Sequence, residues 1–486
     1  LRIKRKRAFA GGADDMNAPL PLNVMAAQEP PSLLRPPRPA PLPALASLVR
    51  AALSGDGNLL GLLPAAAYRM EMGPLGWSRR STIVVNRPDL VRAVLTDPQG
   101  VFPKSDLMVN ALEPLIGDSI FVSSGATWRR QRDMIDPALT MMRVNRAFPA
   151  IVEGVEAACR LLDARAAQGE AFSLDQAMSH LTADVIVRTV FSRSLEHEAS
   201  RDVFEAFTLF ERSVAQVEIR RLIMDKAWTK IRQRDDVLDA CRRIRGHLDD
   251  LLADHLGPDG ARFDDIARHV AEAHDFEGRA FTREELIDQL GVLFLAGHET
   301  SASALTWAFY LLARAPDAVR RIRAEVALVA GDGPIGFEHV KKLAFTRNVF
   351  RETLRLYPPI TFLPRVALEE TRIGSRRVRK GALVIVAPWV LHRHQLYWRN
   401  PDLFDPDRFL PERESEMTPG AYIPFGLGPR VCAGAAFATV EATLILAELA
   451  RRYDFALAPG ADVQPAARLT TRPVREIMCH VARAQP

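Results

Sequence analysis

The 486-residue sequence is 48% hydrophobic and 25% charged, the balance of an ordinary globular chain, which excludes wholesale disorder, collagen and coiled coil. Of the formal charge of +5, residues 1–15 carry +3 and the remainder +2, so the body is close to neutral and no nucleic-acid partner is expected. No apolar run reaches the roughly 18 residues that a membrane span needs, because residues 290–296 stop at Gly297 and His298, and residues 381–387 at Pro388.

In chain order, the basic cluster Arg2, Lys4, Arg5, Lys6 and Arg7 is followed at once by Gly11, Gly12, Asp14 and Asp15, without the apolar stretch of a signal peptide. Leu1 is not a start residue and Met16 is a candidate one, so this stretch is read as lying ahead of the native start. Nine prolines between positions 19 and 43 block regular hydrogen-bonded structure, and residues 1–45 are expected to form an extended or disordered tail. Residues 81–85 read as a strand and 88–95 as a helix with Pro88 at its start. Helical spacing dominates from about 126 to 256. Thr282 and Glu285 form a capping box ahead of a continuous helical pattern that Pro316 stops. That helix, 283–315, is about 50 Å long at roughly 1.5 Å per residue, enough to cross the molecule. Residues 382–386 and 477–481 look like further strands. The expected architecture is one mainly α domain, 46–486, with a minor β region.

The middle of the long helix reads Ala296-Gly297-His298-Glu299-Thr300-Ser301, where a glycine and two hydroxyls are poor helix formers. A wobble with His298 and Glu299 on a solvated side would explain it without chemistry. A zinc protease would need a second histidine four residues after His298, and Ala302 stands there. A carboxylate beside a hydroxyl, Glu299 and Thr300, suits proton delivery.

The four cysteines, Cys159, Cys241, Cys432 and Cys479, are far apart and form no CxxC, the usage of a reducing compartment, with the cytoplasm as the expected location. Three lie in apolar helical or strand-like contexts that suit a buried, inert thiol. Cys432 instead sits at the entrance to a helical run over 435–451, where free N–H groups and the helix dipole should lower its pKa and suit a metal. A dinucleotide loop is a poor competitor: the glycine pattern ends in Val431, contains Pro429 and is followed by no βαβ unit.

Phe425, Gly428, Arg430, Cys432 and Gly434 together resemble the F-x-x-G-x-R-x-C-x-G signature of the cytochrome P450 family. Ala296 to Thr300 is similar to its A-G-x-[DE]-T motif, Glu352 and Arg355 to its E-x-x-R motif, and Pro406-Asp407-Arg408-Phe409 to its P-E-R-F box, with Asp for Glu. Outside that resemblance, Glu352 and Arg355 would pass for an exposed helix salt bridge. The resemblance, which covers the chain from about residue 45 onward, implies a cytochrome P450 fold with heme b between the long helix and the Cys432 helix. Cys432 would be the axial thiolate, which favours O–O cleavage. Trp128, Arg132, Arg365 and Arg430 would hold the heme propionates, with Phe425 shielding the sulfur. Gly297 would leave room for bound oxygen, Thr300 and Glu299 would relay protons, and Arg408 would complete a buried triad with Glu352 and Arg355.

The implied activity is monooxygenation of an apolar small molecule (fatty acid, terpenoid, steroid or aromatic) by O2; a non-catalytic heme protein and a member with O2-independent chemistry are the alternatives. Only 54 residues follow Cys432, too few for a fused redox domain, so a separate ferredoxin-type partner and its reductase are expected, docking on Arg129 and Arg130 of a monomer. Residues 102–121, the helices around 200–225, residues 290–294 with Leu290 and Phe294, residues 360–363 with Ile360 and Phe362, and residues 469–471 with Thr470 would line the substrate pocket.

Overall fold

The computed structural model describes residues 34–54, 58–74, 82–196, 198–214, 233–460 and 462–485. Residues 1–33 of the expected tail and 215–225 of the expected pocket lie outside them. The prolines of residues 34–43 cannot donate, but their segment offers carbonyls. Leu34 O accepts from Phe404 N at 2.8 Å, Pro37 O from the Tyr357 hydroxyl at 2.7 Å, and Arg38 pairs with Asp402 at 2.8 Å. Proline density therefore marks a strap lying on the fold here. The first helix, α1 (Ala44–Ser54), also begins before the expected boundary.

The helices of nine or more residues that follow among the described residues are α2 (Pro88–Thr96), α3 (Asp106–Ile116), α4 (Gly125–Ile135), α5 (Met141–Gln168), α6 (Leu174–Phe191), α7 (Glu198–Val214), α8 (Asp235–Leu256), α9 (Arg283–Leu312), α10 (Pro316–Ala330), α11 (Ala344–Leu356) and α12 (Ala435–Arg452). Both halves of the expected capping box form at the start of α9, with the Thr282 hydroxyl on Glu285 N and the Glu285 carboxylate on Thr282 N. The helix runs 30 residues, ending three residues short of the expected stop because residues 313–315 tighten into turns before Pro316 opens α10. Apart from its first turn it is largely buried, the mark of a central helix. It packs most extensively on α6. At Gly297 an added Cβ would meet Ile186 Cδ1 at 2.4 Å, so glycine is what lets the two helices approach.

The strands are few and short. β1 (Met72–Pro74), β2 (Thr82–Val85), β7 (Leu383–Val386) and β4 (Leu363–Val366) make one sheet, in that order, with β2 and β7 parallel. β3 (Phe172–Ser173), β11 (Met478–Arg483) and β8 (Tyr453–Leu457) form a second; β5 (Thr371–Ile373) with β6 (Arg376–Val378), and β9 (Pro465–Ala467) with β10 (Thr471–Pro473), are hairpins. The β9–β10 turn carries Thr470 toward α9. Cys159, Cys241 and Cys479 are buried, and burial pushes their thiols up to about 11, 11 and 12.

Candidate active site

The segment before α12 is shaped by its own backbone. Cys432 N donates to Phe425 O at 2.9 Å and Val431 N to Gly428 O at 3.0 Å. Gly428 has φ +78°, and a Cβ there would lie 2.7 Å from Leu95 O, so only glycine fits this turn. Two arginines tie the segment to α4 and the residues just before it: Arg132 Nη1 donates to Val431 O at 2.7 Å and Arg430 Nη2 to Ser123 O at 2.8 Å. The Cys432 side chain is accessible yet recessed. Desolvation raises its pKa, while the Gly434 N–H and Arg132 pull it down more weakly. In the free thiol, desolvation outweighs these two favourable contacts.

Beside it lies a cluster of cations. Arg430 stands over the Trp128 ring at 4.5 Å. Burial, with Arg365 and Arg132 nearby, lowers Arg430 to about 10, and burial lowers Arg365 to about 10. Lys104, bridged through its backbone to Arg365, is driven well below its ordinary value by burial and by Arg430 and Arg365. Its ammonium donates to Phe121 O and sits 4.0 Å over the Phe121 ring. Arg430 Nη1 is buried with no hydrogen-bond partner. Four cations held together with an orphaned donor are a site for a group carrying negative charge.

Beyond its first turns, where Arg283, Glu284, Glu285 and Ile287 are also accessible, the positions of α9 that are not buried are Leu293, Ala296, Gly297 and Thr300, a stripe at helical spacing. Thr300 Oγ1 donates to Ala296 O at 2.6 Å. Glu299 points elsewhere, into a cavity of about 840 Å³ walled by α6, α7 and residues 468–474. Its carboxylate takes Arg472 Nε at 2.9 Å, Arg472 Nη2 and the Thr470 hydroxyl, and Arg472 continues to Asp175 at 2.7 Å. His298 is buried against Phe204 and Phe294, and burial holds it down to about 4.

Away from this cavity, Glu352, Arg355 and Arg408 meet in the core. Arg355 grips Glu352 at 2.7 and 2.8 Å and Arg408 reaches it at 3.2 Å. Glu352 and Arg355 have no exposed surface, which removes the exposed-salt-bridge reading. Asp407 pairs instead with Arg321 at 2.6 Å.

A family model described as Cytochrome P450 matches residues 36–480. The chain belongs to the cytochrome P450 family. It is 34% identical to cyclooctatin synthase of Streptomyces melanosporofaciens over 86% of this chain and 90% of that one. It is 31% identical to cyclooctat-9-en-7-ol 5-monooxygenase of the same organism (84% and 86%) and 27% identical to pentalenene oxygenase of Streptomyces avermitilis (89% and 92%). Among solved structures it resembles the heme domain of cytochrome P450DA, with a TM-score of 0.74 at 25% identity over 86% of this chain and 89% of that one. A cytochrome P450 designated CYP102L1 superposes with a TM-score of 0.77, covering 94% and 100%.

This P450 is a heme b monooxygenase, using O2, a small-molecule substrate and a redox partner, and the residues present fit its cofactor. Heme b carries two carboxylates, which answer the surplus charge and the orphaned Arg430 donor. Lys104 belongs to this set and was not foreseen; no motif surrounds it in the sequence. Several expectations are revised. A Cβ added at Gly297 would point at Ile186, so its lack of a side chain serves the packing of α9 on α6, while its backbone stays on the accessible stripe with Thr300. Leu290 and Phe294 have no exposed surface, being turned to other faces of α9, while Ile360 and Phe362 are half-buried. Thr470 spends its hydroxyl on Glu299. Arg130 is held by Asp275 at 2.9 Å and Glu285 at 2.7 Å, leaving Arg129 as the exposed arginine of the pair. Among the described residues no helix is long and apolar enough to cross a membrane.

Proposed function

We propose that this enzyme hydroxylates a polycyclic terpenoid as a cytoplasmic monomer supplied by a ferredoxin-type partner and its reductase. The observation that carries the reading is the accessible face of α9, apolar at Leu293 and Ala296 up to the single hydroxyl of Thr300, which selects for hydrocarbon. The names of two relatives, pentalenene oxygenase and cyclooctat-9-en-7-ol 5-monooxygenase, narrow hydrocarbon to terpenoid.

Heme b, when bound, supplies oxygen binding and two-electron activation. Cys432 would hold its iron as thiolate, the iron's own charge offsetting the cost of burying that anion. Arg430, Arg365, Arg132, Lys104 and Trp128 would hold its carboxylates. Thr300 would lend its hydroxyl to proton transfer; that hydroxyl donates to Ala296 O at 2.6 Å and must rotate to donate elsewhere. Glu299, fixed by Arg472 and Thr470, sets the electrostatic field on the far side of the helix. Arg129, on the α4 helix that also touches the Cys432 segment, contributes to docking an acidic partner.

The test is spectroscopic. The reduced, carbon-monoxide-treated protein is expected to give the red-shifted Soret band of thiolate ligation, absent in Cys432→Ala. Polycyclic terpenes are expected to shift the ferric spectrum to the substrate-bound form. A response to fatty acids alone would overturn the substrate class.

A further inference from the structure

The limb of chain that leads into the Cys432 turn is held to the rest of the fold at few points. Among the described residues, the backbone of residues 422–429 makes one hydrogen bond beyond residues 418–434: Ile423 N donates to His392 Nε2 at 2.9 Å. His392 follows the short helix Pro388–Leu391 and has no exposed surface. Its carbonyl accepts from Arg355 Nη1 at 2.8 Å, so one residue meets the Glu352 set with its backbone and the Cys432 limb with its ring. The Ile423 N–H needs a lone pair on Nε2, which places the ring proton on Nδ1, toward the Leu354 and Arg355 carbonyls. Burial, with Arg355 and Arg393 alongside, pushes the imidazole down to about 3, so the ring is neutral and Nε2 stays an acceptor. From Ile423 the bonds continue: Ile423 O accepts from Gly426 N at 3.0 Å, and Phe425 O from Cys432 N at 2.9 Å.

We propose that His392 is the positioning residue through which the buried Glu352–Arg355–Arg408 set holds Cys432 in place as the thiolate ligand of heme iron. The inference rests on Cys432 being that ligand. The two sides of the turn differ in their anchors. Next to the cysteine, Arg132 takes Val431 O and Arg430 takes Ser123 O, both from within the cation cluster. Ahead of it, the chain passes through Gly426 and Gly428 at φ +79° and +78°, a permissive backbone that follows wherever Ile423 goes. Without the His392 acceptor, the Ile423 N–H is left buried and unanswered. The limb then shifts and draws the Phe425 carbonyl away from Cys432 N. The sulfur takes a proton from water and becomes a thiol, while the domain stays folded.

Replacing the two ring nitrogens one at a time tests this in the holoenzyme. His392→Asn keeps a polar atom near the Nδ1 position and none at Nε2, whereas His392→Gln keeps an acceptor at Nε2. In the reduced, carbon-monoxide-treated protein, the red-shifted Soret band of His392→Asn is expected to convert to the thiol form about tenfold faster than in the wild type. His392→Gln is expected to restore the wild-type rate. Tyr422→Phe is the control: it removes the bond from the Tyr422 hydroxyl to Arg351 O, 2.9 Å long, and should lower stability without shortening the life of the band. Amide exchange at Ile423, slow in the wild type and His392→Gln and fast in His392→Asn, reads the bond directly even where heme uptake is poor. A wild-type lifetime in His392→Asn, no rescue by His392→Gln, or an equal effect of Tyr422→Phe overturns the inference. A wild type without the red-shifted band overturns the Cys432 ligation itself and the inference with it, which separates the two failures.

Discussion

Around Glu352, every described donor of the buried arginines finds an acceptor. Arg355 takes both carboxylate oxygens and the carbonyls of His392, Pro401 and Leu403, while Arg408 takes Glu352, Arg399 O and Asn400 O. Around Arg430 the balance is the reverse: Lys104, Arg365 and Arg132 crowd it, of which only Arg132 has its own carboxylate, Asp136 at 2.7 Å, and Asp97 is the one acid acting on Arg430 itself. The first set closes on itself and specifies the packing of α11 against residues 399–409. The second carries charge in excess, which costs stability until an anion from outside the chain answers it. Buried arginines alone therefore say nothing about function, and neither does a single unanswered donor, since Arg193 Nε and Arg393 Nη1 are also buried without a partner; the crowding of cations around Arg430 is what sets that site apart.

Breaking the closed set should have the largest effect. Glu352→Ala leaves Arg355 and Arg408 uncompensated in the core, and a loss of about 3–5 kcal/mol is expected by thermal or denaturant unfolding. The open set should respond in opposite senses with and without cofactor. In heme-stripped protein, Arg430→Leu is expected to be neutral or to stabilise by up to about 1 kcal/mol, whereas heme should leave the loaded variant about tenfold faster. The pH dependence sharpens this. A cation whose folded pKa is lowered to about 10 carries its full penalty below that value, and the penalty fades as pH rises through it. The gain from Arg430→Leu should thus be complete at neutral pH and shrink above 10. The smallest effect is expected at the box residue outside both sets: Asp407→Ala loses a partly exposed pair with Arg321 and should change stability by less than about 1 kcal/mol.

Local signals carried far in this chain. The capping box at Thr282, Pro88 at a helix start, and the β-branched runs at 82–85 and 383–386 each lie where short-range chemistry decides, and the fold follows them. The Cys432 segment was legible because backbone turns are local too; i, i+3 spacing put Glu352 and Arg355 on one face, but only the family resemblance pointed to a buried triad. Orientation about the α9 axis was not. Taking Thr300 as anchor, the positions four and seven before it, Ala296 and Leu293, share its face, while Phe294 and Leu290 do not; apolar character alone cannot rank them, since a central helix is apolar all round. Lys104 escaped for another reason: it matters through neighbours far along the chain and sits in no pattern that betrays its surroundings.

The strap of residues 34–43 bears on the order in which this protein is made. Its C-terminal end meets near neighbours, Ala65 N on Leu42 O and Arg50 on Ala40 O, but its contact with Tyr357 joins positions 320 apart, so its docking is incomplete until most of the polypeptide has followed. Such long-range closure is slow and late in assembly. Until it occurs, the stretch preceding α1 presents its proline carbonyls to water, and synthesis from the N-terminal end cannot lock this end first. The final maturation of the enzyme is thereby tied to completion of its C-terminal half, the half that also brings Cys432.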